Sequence, residues 1–274
     1  MKFGLLTGMA FVVLALAGTK VAQASTLIGG ESGGSGIYNI DTSDGSHSTI
    51  GAATHHVRGL AYDGSTSTMY ALSTNTLHSM DISNGSTSVI GTGGTSLTGL
   101  TFSADFSILY SISTAGELYS IDKSTGASSL IGGFVNTDYF GGIIDLATNS
   151  LGQVFGMGLD GDLYQINTTT GEATFVASSG VNLGFTSISF DENDVLYGVS
   201  TCCDGTVPDD SLLTIDVVTG AVSLIGGDIG SDVRALAFAI DSSPAAVPLP
   251  GGLPMMGAAF GLLGVIRLRK KRAA

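Results

Sequence analysis

Between residues 26 and 240 the chain alternates short apolar runs with polar turns, and one polar phrase recurs. It reads "YNIDTSDG" at 38, "HSMDISNG" at 78, "YSIDKSTG" at 119, "YQINTTTG" at 164 and "LTIDVVTG" at 213. The closing glycines are Gly45, Gly85, Gly126, Gly171 and Gly220, so the repeat length lies between 40 and 49 residues. Within the phrase, a strand runs into a hairpin turn: Asp and Thr side chains bond nearby backbone amides, and Gly takes the positive-φ position. A strand follows each turn, in "HSTIG", "TSVIG", "SSLIG", "ATFVA" and "VSLIG". Two further strands precede the phrase. One series is "VRGLAYD" at 57, "LTGLTFS" at 97, "GGIIDLA" at 141, "FTSISFD" at 185 and "VRALAFA" at 233; the other is "MYALST" at 69, "LYSIST" at 109, "VFGMGL" at 154 and "LYGVST" at 196. Alternating apolar residues rich in Tyr, Ile and Val fit strands packed on both faces, and no stretch has a helical period.

Four strands per unit of 40 to 50 residues predict an all-β chain, a five-bladed β-propeller. The two ends of the repeat complement each other. The N-terminal part offers a strand at Thr26–Gly29, the phrase at 38 and "HSTIG"; the C-terminal part offers a lone strand, Val233–Ile240. Together they make a fifth blade, and such closure removes free sheet edges. The closing blade lacks an aromatic second strand, so an open β-sandwich and a six-bladed ring remain alternatives.

Outside the repeat the pattern changes. Lys2, the apolar stretch Phe3–Ala17 and Ala22-Gln23-Ala24 read as a signal peptide over residues 1–24, with Ser25 the first mature residue. All 23 acidic residues lie between Glu31 and Asp241, a span whose only basic residues are Arg58, Lys123 and Arg234, for a net charge of −20. Such a surface repels phosphate backbones and excludes nucleic acid as a partner. The propeller is expected over 25–243, a linker over 244–252, and an apolar helix with a basic end over 253–274. The run Leu253–Ile266 makes a helix about 21 Å long, short for a ~30 Å hydrocarbon core, and the basic cluster orients the ectodomain outside the cytoplasm.

Val247-Pro248-Leu249-Pro250, the apolar run and Arg267-Leu268-Arg269-Lys270-Lys271-Arg272 together resemble a PEP-CTERM sorting signal of the Val-Pro-Leu-Pro-Ala subtype, with Gly251 where the subtype has Ala. The resemblance covers about 28 residues. It implies transient membrane anchoring through the C-terminal helix, recognition by an exosortase-like protease after signal peptidase has acted, and delivery to the cell surface or extracellular matrix.

Candidate chemistry is sparse. Arg58 and Arg234 share one repeat position, where the other blades carry Thr98, Gly142 and Thr186. On neighbouring blades of a closed ring they would face one channel mouth, either holding a carboxylate or sulfate bidentately or pairing with Asp228, Asp232 or Asp145. His55 and His56 precede Arg58 on the same mouth. Adjacent strand residues point oppositely, so the two histidines do not share a metal, and no other ligand has metal-site spacing. Asp145 is the only carboxylate inside a first-series strand. Cys202 and Cys203, the only cysteines, are candidates for a vicinal disulfide in an oxidising compartment. Asp41, Asp81, Asp122 and Asp216 read as turn formers. No cofactor or metal is implied. The expectation is a non-enzymatic exported propeller, ligand-binding or structural, with exopolysaccharide or a surface protein as ligand. The alternative is a propeller hydrolase or lyase acting on extracellular polysaccharide, which would need a second carboxylate facing Asp145.

Overall fold

The computed structural model describes residues 25–34, 36–133, 142–180, 184–201, 207–227, 229 and 232–240. The signal peptide, the Cys202–Cys203 pair, the sorting motif and the C-terminal helix expected from the sequence lie outside the described residues. The described residues contain strands and no helix.

Twenty strands form five four-stranded antiparallel sheets. The chain opens with β1 (Ser25–Glu31), β2 (Gly36–Ile40) and β3 (His47–Ala52). The first complete blade is β4 (Gly59–Asp63), β5 (Thr68–Ser73), β6 (Thr76–Met80) and β7 (Thr87–Thr92). The second is β8 (Leu97–Phe102), β9 (Leu109–Ser113), β10 (Glu117–Ile121) and β11 (Ser128–Gly133). The third is β12 (Ile143–Thr148), β13 (Val154–Gly158), β14 (Asp162–Ile166) and β15 (Ala173–Ser178). The fourth is β16 (Phe185–Phe190), β17 (Leu196–Ser200), β18 (Ser211–Ile215) and β19 (Val222–Gly226). Strand β20 (Val233–Ile240) returns to pair with β1, giving the order β20-β1-β2-β3 in a closing blade. The innermost strands β4, β8, β12, β16 and β20 contact one another in a closed circuit. The five-bladed ring closed by both chain ends is therefore present, and β1 is its non-aromatic second strand.

Five apolar clusters hold the ring, one at each seam between blades. Ile28, Ala235 and Ala237 of the closing blade meet Leu60, Met69 and Met80 of the first. Tyr70 and Leu72 then meet Leu100 and Phe102, and Ile112 and Leu118 meet Leu146 and Val154. Phe155 and Met157 meet Phe185 and Ile188, and Val199 and Leu212 meet Leu27 and Leu236. Each inner strand serves two seams because its alternate residues face opposite sides. Complete burial of one such Leu, Ile or Phe stabilises by about 1.5–3 kcal/mol.

The repeated phrase forms the turns that its residues dictate. Asp41 Oδ1 accepts the Ser43 amide at 2.8 Å, Asp81 that of Ser83 at 2.9 Å, Asp122 that of Ser124 at 2.8 Å, and Asp216 that of Val218 at 2.9 Å. Asn167 replaces Asp and accepts the Thr169 amide at 2.9 Å. The closing glycines have φ between 73° and 77°, the left-handed region that only glycine enters without strain.

Candidate functional site

The five inner strands turn one hydrogen-bonding edge to the axis. Near their N-terminal ends, one residue too many is accommodated in a bulge: Arg234 in β20, Ile144 in β12 and Thr186 in β16. This corrects the repeat register of the third blade by two residues. Ile144, not Gly142, occupies the place of Arg58, Thr98, Thr186 and Arg234. Leu146 then aligns with Leu60, Leu100, Ile188 and Leu236, and Asp145 with Gly59, Gly99, Ser187 and Ala235.

That register makes Asp145 an axial plug. Its carboxyl is fully enclosed. Oδ1 accepts the Leu146 amide at 2.8 Å, Oδ2 accepts the Ile188 amide at 3.0 Å and the Ser187 hydroxyl, and the Leu100 amide also bonds the carboxyl. The Ser187 oxygen in turn accepts the Leu236 amide at 2.8 Å. Amides from four inner strands thus converge on one carboxyl and one hydroxyl. Gly99 leaves room for this, since a Cβ there would come within 2.6 Å of Asp145 Oδ1. Burial pushes the Asp145 pKa up to about 7, against the lowering effect of its hydrogen bonds. Asp145, expected among the ligand-binding residues, is buried in this structure, and its carboxyl ties inner strands together through their amides.

Arg58 and Arg234 do lie at equivalent places on adjacent blades, and both are exposed. They are not equally available. Arg234 Nε donates to Asp232 Oδ1 at 2.6 Å, whereas Arg58 forms no ion pair among the described residues. His56 is exposed and His55 half-buried. The His55 ring stacks on His78 of β6, with centroids 3.7 Å apart and planes 18° from parallel. His78 is buried, with Nε2 3.1 Å from the Ser73 hydroxyl. Burial holds both imidazoles below their usual pKa, His55 at about 4 with help from the neighbouring His78 and His56. His55 is therefore a packing element of the seam. The sequence reading missed His78, because a histidine in an alternating strand carries no signal of its partner.

Among the described residues, an open concavity lies at the other end of the axis. A cavity of about 380 Å³ is lined by inner strands of all five blades and by the loops that follow them. Its floor is the aliphatic ring Leu60, Leu100, Leu146, Ile188 and Leu236, just beyond the Asp145 plug. Half-buried Phe106, Phe190 and Phe238 supply aromatic wall, and the Thr101 and Thr148 hydroxyls, 3.0 Å apart, supply polar wall. Asn149, Asp191 and Glu192 stand at the rim. Phe106 is held at φ 57°, an uncommon conformation for an aromatic residue. Lys123 fixes it: its ammonium bonds the Phe106 carbonyl at 3.1 Å and Asp63 at 2.6 Å, and lies 5.5 Å from the centre of the Phe102 ring. The sequence reading expected the ligand mouth at the arginine end. The signal that could have pointed here is the aromatic residue at one shared position of four first-series segments, Tyr62, Phe102, Phe190 and Phe238.

No family model matches the chain, and no curated protein matches it. Solved structures do. One, from work on the de novo evolutionary emergence of a symmetrical protein shaped by folding constraints, has a TM-score of 0.52 at 14% identity, covering 78% of this chain and 98% of its own. A second is a structural genomics protein of unknown function from Bacteroides thetaiotaomicron, also with a TM-score of 0.52 at 14% identity, covering 77% of this chain and 66% of its own. These likenesses define the class of fold, a propeller, and carry nothing about chemistry.

Proposed function

We propose that this chain is an exported, non-enzymatic propeller that binds extracellular polysaccharide through the cavity at the floor of its axis. Signal peptidase releases it at Ala24, and an exosortase-like protease processes the tail near Val247–Pro250, leaving it at the cell surface or in the extracellular matrix. The sorting part of this reading rests on the residues of the two chain ends. The binding part rests on one observation: the cavity is open, joins all five blades, and combines aromatic rings with hydroxyl and carboxylate groups, the mixture that orients a ligand in a small-molecule site. Hydrolase chemistry at Asp145 gains no support, because that carboxyl is enclosed and spent on backbone amides.

Purified residues 25–242, screened against a polysaccharide panel, test this reading. Saturable binding lost in Phe190→Ala and kept in Arg58→Ala is the expected result. The reverse pattern would move the site to the arginine mouth, and new reducing or unsaturated ends would defeat the non-enzymatic reading. Mass analysis of the protein recovered from its host tests sorting, with loss of residues 267–274 expected.

A further inference from the structure

Resting on the cavity as binding site, we infer that its preferred ligand is a saccharide carrying free ammonium groups, an amino-sugar oligomer, rather than an acidic polysaccharide. Among the described residues, the cavity lining includes Asp191 and Glu192 but no Lys, Arg or His. Lys123 does not line it, and its ammonium is bound to Asp63. With the leader removed, the α-ammonium of Ser25, whose hydroxyl bonds Glu192, offsets one of the two rim charges and leaves the rim net acidic. The ectodomain beyond carries a net −20. Uronate or sulfate groups meet a net acidic rim on a strongly acidic ectodomain, and a cation is drawn in.

The aromatic wall makes the preference specific to an organic cation. Phe106, Phe190 and Phe238 are partly exposed at the cavity. An aromatic face attracts an ammonium electrostatically and also covers the C–H face of a sugar ring. Another ring of the lining, Phe102, already carries an ammonium this way, that of Lys123. A metal ion would need converging oxygen or nitrogen ligands, whereas the carboxylate of Asp191 is partly taken: its Oδ1 accepts the amides of Asn193 and Val195 at 2.9 and 2.8 Å. Asp191 Oδ2 meets only the Asn193 side-chain amide, at 3.5 Å, and the exposed Glu192 engages the Ser25 hydroxyl through one oxygen, so each carboxylate keeps acceptor capacity for one ammonium at the rim.

The experiment measures binding of residues 25–242, which contain the whole closed ring. The probes are a glucosamine tetramer, an N-acetylglucosamine tetramer and a galacturonate tetramer, at a pH where the free amines are protonated. The glucosamine tetramer is expected to bind on the order of tenfold more tightly than its acetylated counterpart, the scale of one cation–π contact plus one exposed ion pair. The galacturonate tetramer is expected not to bind. Asp191→Asn with Glu192→Gln should abolish the preference while leaving the acetylated tetramer bound; Asn at 191 keeps the turn's hydrogen bonds. Asp209→Asn with Glu172→Gln, the same charge change at remote exposed sites, should leave the preference intact. Equal affinity for the amine and acetylated forms would overturn the inference and leave the binding site standing, as would equal loss of preference in the remote pair. Failure of both amino-sugar tetramers to bind would sink the site itself.

Discussion

Asp145 and His55 titrate in the same pH range and pull stability in opposite directions. An unfolded Asp releases its proton near pH ~3.9, while the buried carboxyl keeps it up to about pH 7. Between these values the native state holds the extra proton, so Asp145's contribution is complete at low pH and is lost as pH rises toward 7. His55 behaves inversely. An unfolded imidazole takes up a proton near pH ~6.5, whereas the stacked His55 resists it down to about 4. Its contribution is present above the higher value and is lost as pH falls toward the lower. The two slopes offset each other from about pH 4 to 6.5. Urea unfolding of wild type is therefore expected to vary weakly across that window. Asp145→Asn should lose stability more steeply on acidification, because only the histidine slope remains. His55→Phe, which keeps a stacked ring, should lose stability as pH rises. Asp145→Asn should also cost about 1–3 kcal/mol above pH ~8, where the native carboxyl is ionised, since the new amide donor then faces amide donors. Parallel pH profiles for all three proteins would contradict this assignment.

At the scale of the strand, the outer edges explain why glycine is so abundant. Strands β3, β7, β11, β15 and β19 each carry a bulge, at Ile50, Ile90, Ile131, Val176 and Ile225. A bulge twists an exposed edge away from further pairing. In four of these strands the next residue is glycine, and it meets the following blade's turn. A Cβ on Gly51, Gly91, Gly132 or Gly226 would overlap the carbonyl oxygen of Asn84, Thr125, Thr170 or Asp44 respectively. The "S-x-I-G" phrase is thus a seam device as well as a strand. Gly91→Ala and Gly132→Ala are expected to destabilise by about 1–3 kcal/mol through overpacking. Gly94→Ala, which meets nothing within 4 Å, should be near neutral. Thermal melts of the three variants decide it, and an equal loss at Gly94 would show that the seam contact does not set the cost.

At the scale of the molecule, what was legible depended on whether the information is periodic. The blade count, the turns and the joining of both ends could be read because each repeats or complements itself along the chain. The third-blade register was misread by two residues, because "GGIIDLA" offers two alignments and only the bulge at Ile144 decides between them. The cavity was missed because it arises from five strand ends brought together by closure, and no local pattern records the concavity that results. Closure itself rests on β20. It pairs with β1 from Ser25↔Ile240 to Glu31↔Val233 and buries Val233, Ala235, Leu236, Ala237 and Ala239 between two seams. Without it, β1 presents a bare edge, and the first and fourth blades lose their inner neighbour. A chain ending at residue 242 is expected to be monomeric and to unfold in one cooperative transition. A chain ending at residue 230 should lose that transition and associate through the exposed edge. A synthetic peptide spanning 232–242, added in excess during refolding, should restore the monomer by supplying the missing strand. Size-exclusion chromatography with circular dichroism reads both outcomes, and a shortened chain that stays monomeric and cooperative without the peptide would show that the ring does not depend on its last strand.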